Sequence, residues 1–268
     1  GDLINWLKIL KHVKVVELDL LKRSISFIND LRCFFRLYSM IRAGKYDIVH
    51  CHSSKAGIIG RLAARVAGVR QIYFTVHGWG IDESQPLPVR FVYTLAERLA
   101  GAVSTGVVCV SRYDYEKGLA LRLVAAERLT VIYNGVPDEW DDGRPPGGAR
   151  VLRVELGLGP GDILVGAVMR LAAPKKPIMF LEAAKRLLDY RLSRLYFAVV
   201  GDRPLRALCE KYIAEHGLWG RVFLLGTRED AAQLVGEFDV FTLFSDHEGL
   251  PLTVIEAMLA SVPVVASN

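Results

Sequence analysis

The stretch DIVHCHSSKAGIIGRLAARVAG, residues 47–68, changes its hydrophobic period half-way. Asp47–Cys51 is a short apolar run with β-branched members. From Ser53 to Ala67 the apolar residues recur at three- and four-residue steps, and Gly68 follows. The first pattern predicts a strand, the second a helix closed by glycine. Upstream, Phe27, Leu31, Phe34, Leu37 and Ile41 repeat the helical spacing, with Gly44 as the expected stop. Further apolar runs occur at Val13–Leu18, Gln71–Val76, Val107–Val110 and Leu129–Tyr133. In the second half they occur at Ile163–Met169, Leu195–Val200, Val222–Leu225, Asp239–Phe244 and Val262–Ala266, with a helical pattern over Ile178–Leu188 between two of them. The runs are nearly continuous rather than alternating, as in strands covered on both faces by helices. Strand and helix in alternation predict an α/β protein with parallel sheets.

One segment interrupts the alternation. Asp138–Arg150 (DEWDDGRPPGGAR) crowds Pro, Gly and acidic residues where neither element persists. It divides the chain into two Rossmann-like domains, 1–143 and 144–268. Each half shows five runs where a doubly wound domain has about six strands. The chain opens at Gly1 just ahead of a run and stops at Asn268 just after one. The expectation is therefore two incomplete domains, the first lacking an opening strand–helix segment and the second its closing segment.

Composition narrows the class. With 51% hydrophobic and 24% charged residues among 268, the chain can bury two cores and is not disordered. No apolar run approaches the roughly 18 residues of a membrane-spanning helix. Residues 1–20 carry Asp2, Lys8, Lys11 and Lys14 and no small-residue cleavage site, unlike a signal peptide. Cys33, Cys51, Cys109 and Cys209 are scattered without metal-type spacing, which suits a reducing compartment and a cytoplasmic protein. Residues 1–150 hold 21 Lys+Arg against 15 Asp+Glu, whereas residues 151–268 hold 13 against 14. A basic first half is either a plain solvated surface or the side that meets an anionic partner: nucleic acid, anionic lipid or a phosphorylated substrate.

Ligands of an open parallel sheet bind beyond the carboxyl ends of its strands. In the second half those ends carry Arg170, Gly201-Asp202, Gly226-Thr227 and Ser245; in the first, His52-Ser53, His77-Gly78, Ser111 and Asn134-Gly135. The richest stretch is SDHEGLPLTVIE, residues 245–256. Glu248, Gly249 and Pro251 form a loop from which a helix can start near Leu252, and a helix start offers free N–H groups and a positive dipole end to a phosphate. Glu256, one turn into that helix, can accept hydrogen bonds from both hydroxyls of a ribose. Glu248 stays near the crevice, within reach of sugar hydroxyls. Arg170 and Lys175 supply cations for a diphosphate, each worth about 4 kcal/mol at an effective dielectric near 20 before desolvation. The plainer account of Lys175 and Lys176 is a solvated helix start, where lysine opposes the dipole and calls for counter-charge.

These motifs, in this order, resemble the retaining glycosyltransferases of GT-B fold, family 4, of the branch that builds capsules and exopolysaccharides. Arg170-Leu…Lys175, Val199-Val-Gly-Asp202, Asp239-Val-Phe and Glu248-Gly-Leu-Pro…Glu256-Ala-Met are similar to the donor domain. Asp47–Ala64, Thr75-Val-His-Gly-Trp-Gly80, Val110-Ser111 and Ile132-Tyr-Asn-Gly-Val136 are similar to the acceptor domain. The resemblance covers about Val13 to Asn268. It implies two Rossmann-like domains facing a central cleft, a nucleotide-diphosphate sugar donor, with UDP ahead of GDP or ADP, and a polyprenyl-diphosphate-linked or oligosaccharide acceptor. It also implies a place at the inner face of the plasma membrane, against an anionic surface. Donor contacts fall to Arg170, Lys175, Gly201, Asp202, Glu248, Gly249, Leu250 and Glu256; acceptor-side contacts fall to His52, Lys55, His77, Gly78 and Ser111. His77, Glu248, Arg170 and Lys175 are the catalytic set, with His77 facing the donor sugar. The family does without a cofactor or metal, and no Asp-x-Asp motif occurs in the chain. Arg203 departs from the pattern, which usually has a second glycine there. The absent opening and closing segments predict weak donor binding and little turnover by these residues alone.

Other readings are weaker. His50 and His52 share a strand face but lack a third metal ligand in sequence. No G-x-S-x-G surrounds Ser111, and no G-x-G-x-x-G lies between a strand and a helix. Gly57 and Gly60 fit close helix–sheet packing instead. Tyr73, Phe74 and Trp79 keep few cations near them, which argues against nucleic acid. A catalytically idle nucleotide-sugar-binding or scaffold protein of the same fold is the alternative function.

Overall fold

The computed structural model describes residues 10, 12–21, 26–82, 85–137, 151–246 and 248–267. The chain forms two compact units, dividing between Tyr133 and Asn134. The boundary expected at 143/144 and the whole Asp138–Arg150 segment lie outside the described residues.

The first unit contains α1 (Phe27–Gly44), β1 (Ile48–His52), α2 (Ser54–Ala67), β2 (Gln71–Val76), α3 (Leu87–Val103), β3 (Gly106–Cys109), α4 (Arg112–Ala120) and β4 (Leu129–Val131). Its strands pair in the order β1-β2-β3-β4, all parallel. The expected strand at Val13–Leu18 does not form. Residues 12–21 are loop and turn, with Val13 and Val16 exposed, because no described strand offers the neighbour that a lone strand needs. The first sheet therefore has four strands among the described residues rather than five. Gly44 does not end its helix by turning left-handed. That role falls to Lys45 (φ 48°), whose N–H reaches the Ile41 carbonyl, while a Cβ on Gly44 would strike the Tyr46 ring. Gly68 does close α2, at φ 88°. Inside α2 a Cβ on Gly57 would lie 2.4 Å from the Phe74 ring and one on Gly60 2.9 Å from Cys51 Sγ. Both glycines let the helix approach the sheet closely.

The second unit contains α5 (Val151–Glu155), β5 (Ile163–Val168), α6 (Pro177–Asp189), β6 (Leu195–Val200), α7 (Arg206–Glu215), β7 (Val222–Gly226), α8 (Ala231–Val235), β8 (Val240–Leu243), α9 (Leu252–Leu259) and β9 (Val264–Ala266). The order β7-β6-β5-β8-β9, all parallel, is 3-2-1-4-5 when counted from β5, as in a doubly wound sheet. Alternate residues feed two cores. Val165, Ala167, Phe197 and Val199 pack with Phe180, Leu181 and Ile213 on one face. Leu164, Ala198, Val200 and Phe241 pack with Leu234, Phe238 and Ala257 on the other. Burial on both faces explains why these strands read as continuous apolar runs. All four cysteines are buried and unpaired. Burial raises their thiols, Cys109 to about 12, so they are inert core residues.

Candidate functional site

The site of the second unit lies at the carboxyl ends of β5, β6 and β7, closed on one side by the loop leading to α9. A cavity of 630 Å³ opens there, lined among others by Arg170, Lys175, Gly201, Asp202, Glu248 and Leu250. That volume is in the range of small-ligand sites. Six expected donor-site residues thus meet in one place. Gly249 and Glu256 are outside the lining, although Leu252 and Thr253 at the tip of α9 belong to it. Glu256 is four residues from Leu252 and three from Thr253, so it shares their face. The α9 tip has Pro251 as its N-cap and no side-chain cap, which leaves its first N–H groups without an intrahelical partner.

Local backbone chemistry builds this concavity. Gly201 sits at φ 131°, and a Cβ there would come 1.9 Å from the Met169 carbonyl oxygen. Only glycine lets the ends of β5 and β6 approach so closely. Arg203, where a second glycine was expected, still takes a left-handed φ of 38°. The backbone bend is kept, and the arginine side chain joins the cavity wall. Asp246 N–H donates to the Pro174 carbonyl at 2.9 Å, tying the loop after β8 to the loop after β5.

Charge in the cavity is organised around Glu248. Its carboxylate pairs with Lys175 Nζ and accepts from Ser245 Oγ at 2.6 Å, while Lys176 pairs with Asp246. The lysines at the start of α6 thus receive the counter-charge that a basic helix start calls for, and the partner of Lys175 lines the same cavity. Arg228 is engaged by Asp230 and Glu155, and Asp202 faces Arg206 at 3.7 Å. Arg170 and Arg203 have no side-chain partner among the described residues. Glu256 is half-buried, likewise without a side-chain partner there, and burial alone pushes its carboxyl above the ordinary value. A half-buried carboxylate without a protein partner is left to water, to its own proton or to a bound donor. Sequence reasoning missed Arg203 and Arg228 as cavity-lining cations and the Ser245–Glu248 bond. The position of Arg203, two residues past Gly201 at the end of β6, was the available signal.

The expected acceptor-side residues of the first unit fall into two groups. His52 and His77 meet at the ends of β1 and β2, with His52 Nδ1 3.1 Å from His77 Nε2 and stacked rings. One ring must donate and the other accept. His50 extends the row, its ring 4.5 Å from that of His52 and its Nε2 2.8 Å from Thr75 Oγ1. Burial, reinforced by His52, lowers His77, against an opposing pull from Asp114. Burial, then His52 and His77, lower His50. Among the described residues no group of three or more His, Cys, Asp or Glu side chains is arranged to hold a metal. Gly78 follows at φ 106°. The other two residues have structural partners. Lys55 pairs with Asp30 of α1 at 2.6 Å. Ser111 caps α4, accepting from Asp114 N–H at 3.1 Å and donating to its carboxylate at 2.8 Å, so it serves no Ser–His pair.

Family models agree with this division. The model described as Glycosyltransferase Family 4 matches residues 9–140, and that of Glycosyl transferases group 1 matches 150–268. The chain is 36% identical over its whole length to the Escherichia coli UDP-Gal:alpha-D-GlcNAc-diphosphoundecaprenol alpha-1,3-galactosyltransferase, of which it covers 69%. The chain belongs to the family 4 glycosyltransferases. It is also 26% identical to the putative glycosyltransferase EpsD of Bacillus subtilis, over 92% of this chain and 65% of that one. Among solved structures, Anabaena Alr3699/HepE in complex with UDP superimposes with a TM-score of 0.69 at 23% identity, covering 88% of this glycosyltransferase chain and 63% of its own. That likeness establishes the GT-B class of fold. The chain thus spans about two thirds of the length of these relatives. Among its described residues no helix is long and apolar enough to cross a membrane.

Proposed function

We propose that this chain carries the donor and acceptor machinery of a retaining glycosyltransferase. It moves a sugar from a UDP-sugar to a polyprenyl-diphosphate-linked or oligosaccharide acceptor in surface-polysaccharide synthesis. The observation that carries the reading is the single cavity shared by Arg170, Lys175, Gly201, Asp202, Glu248 and the tip of α9. Its cations and N–H groups suit a diphosphate, and the relatives support the rest. The E. coli relative is named for a UDP-sugar and a lipid-linked acceptor, and the Anabaena structure holds UDP. We place the protein in the cytoplasm, at the inner face of the membrane where such an acceptor is anchored.

The donor diphosphate lies between Arg170, Lys175 and the α9 tip, Glu256 holds the ribose hydroxyls, and Glu248 holds hydroxyls of the transferred sugar. As the bond from the anomeric carbon to the β-phosphate oxygen breaks, negative charge grows on that oxygen, where the two cations stabilise it. The acceptor hydroxyl attacks the same face of the sugar and gives its proton to the departing phosphate oxygen. The protein's part is then positioning and charge stabilisation, with no metal or cofactor. His52, His77 and Gly78 serve the acceptor side.

The test is transfer from UDP-sugars to a polyprenyl-diphosphate-linked saccharide by the chain extended to the length of its relatives, with the anomeric configuration read by NMR. A product that keeps the donor configuration, with transfer lost on Glu248→Ala while UDP affinity changes less, is the expected result. An inverted product would overturn the retaining route, and UDP binding without any transfer would favour an idle nucleotide-sugar-binding protein.

A further inference from the structure

We infer that the outward face of α3, with the arginine-lined cavity at its C-terminal end, is the surface on which this protein rests against an anionic lipid bilayer. The inference deepens the membrane placement proposed above and rests on it. Helix α3 is turned out in an unusual way. Leu87, Phe91, Leu95 and Leu99 are spaced four apart along one face and are 77%, 69%, 48% and 55% exposed. A surface helix ordinarily gives its polar residues to water and its apolar stripe to the core. Here the sole acidic residue of the helix, Glu97, is buried against Arg61. Of its two arginines, Arg98 is exposed beside the stripe, whereas Arg90 is half-buried on another side of the helix with Asp82 and Glu116.

The second observation is at the end of the same helix. A cavity of 540 Å³ is lined by Arg98, Arg122 and Arg128, with no acidic side chain in its wall. Two of these guanidinium groups are fixed by main-chain carbonyls, Arg98 by Leu121 (3.1 and 2.9 Å) and Arg128 by Ala102 and Ser104 (2.9 and 3.1 Å). Arg98, three residues after Leu95, joins the stripe to the cavity. Apolar side chains that enter the headgroup boundary, beside arginines that meet lipid phosphates, are the two halves of interfacial membrane binding. Each basic residue near an anionic surface adds roughly fivefold in affinity. A second copy of this chain is the poorer occupant, because a symmetric contact through α3 sets arginine against arginine.

Co-sedimentation of the full 268-residue chain with vesicles tests this. Binding to phosphatidylglycerol vesicles but not to phosphatidylcholine is expected, with a loss of roughly tenfold or more in Phe91→Ser/Leu95→Ser. A loss of similar size is expected in Arg98→Gln/Arg122→Gln, both variants melting like the parent by circular dichroism. The arginine variant keeps the test open should the apolar one unfold. Parent-like binding by both variants, or loss of binding in Phe27→Ser/Leu31→Ser on α1 instead, overturns the α3 assignment and leaves the membrane placement standing. A parent that ignores phosphatidylglycerol overturns the placement itself, while the transfer assay still decides the enzymatic reading. Equal binding to both lipids, or a dimer that dissolves on Phe91→Ser/Leu95→Ser, also overturns the inference.

Discussion

Glu256 shows at the scale of one residue how function and stability oppose each other. Burial raises its carboxyl above 4.5 with no cation to offset it. The native protein therefore keeps this proton at pH values where the unfolded chain has lost it. The resulting stabilisation is full below 4.5 and is lost as pH rises through the native value. At pH 7 the ionised group is a cost that Glu256→Gln removes. The variant is expected to melt higher than the parent at pH 7, with the gap closing towards about pH 4 in scans by calorimetry. Its UDP affinity is expected to fall. Glu256→Ala should weaken UDP by about 1.5–3 kcal/mol, roughly 10- to 150-fold, as befits hydrogen bonds to a charged acceptor. A parent that melts higher than Glu256→Gln at pH 7 would mean that an internal donor already satisfies the carboxylate. Such a residue was legible from its place after a Gly-Leu-Pro turn. Its lack of a partner was not, because pairing depends on side chains distant in sequence.

At the scale of elements, α2 and α3 are joined by a buried ion pair. Arg61 Nη2 meets Glu97 Oε2 at 2.6 Å, Arg61 Nε donates to the Gly57 carbonyl at 2.9 Å, and the guanidinium stacks 4.0 Å from the Phe74 ring centroid. Arg61 Nη1 and Glu97 Oε1 are buried without partners, and burial raises Glu97 although Arg61 pulls it down. A pair so incompletely satisfied costs almost as much desolvation as it returns, but removing one member strands the other. Glu97→Ala is expected to lose about 3–5 kcal/mol in urea unfolding, and Arg61→Met/Glu97→Leu far less. A double variant as damaged as the single would refute that account. Elements were the most legible level of the chain. Strands β1 and β6 and helices α2 and α6 follow from period and punctuation, within a residue at each end. Val13–Leu18 failed because a strand is completed by its neighbour, and Gly44 failed because Lys45 took the left-handed turn.

At the scale of the whole molecule, the α/β class with parallel sheets was readable from the alternation of strand and helix patterns along the chain. Strand order was not, since 3-2-1-4-5 arises from crossovers that no local pattern encodes. Yet that order is what gathers the ends of β5, β6 and β7 and the tip of α9 about one cavity. We propose that this cavity holds the diphosphate of a nucleotide. The most direct measurement is calorimetric titration of the protein with UDP, GDP and ADP, beside Arg170→Ala. Binding of UDP ahead of the other two, weakened roughly tenfold or more in Arg170→Ala, is the predicted result. Binding of none of the three, or UDP affinity unchanged by Arg170→Ala, would contradict it.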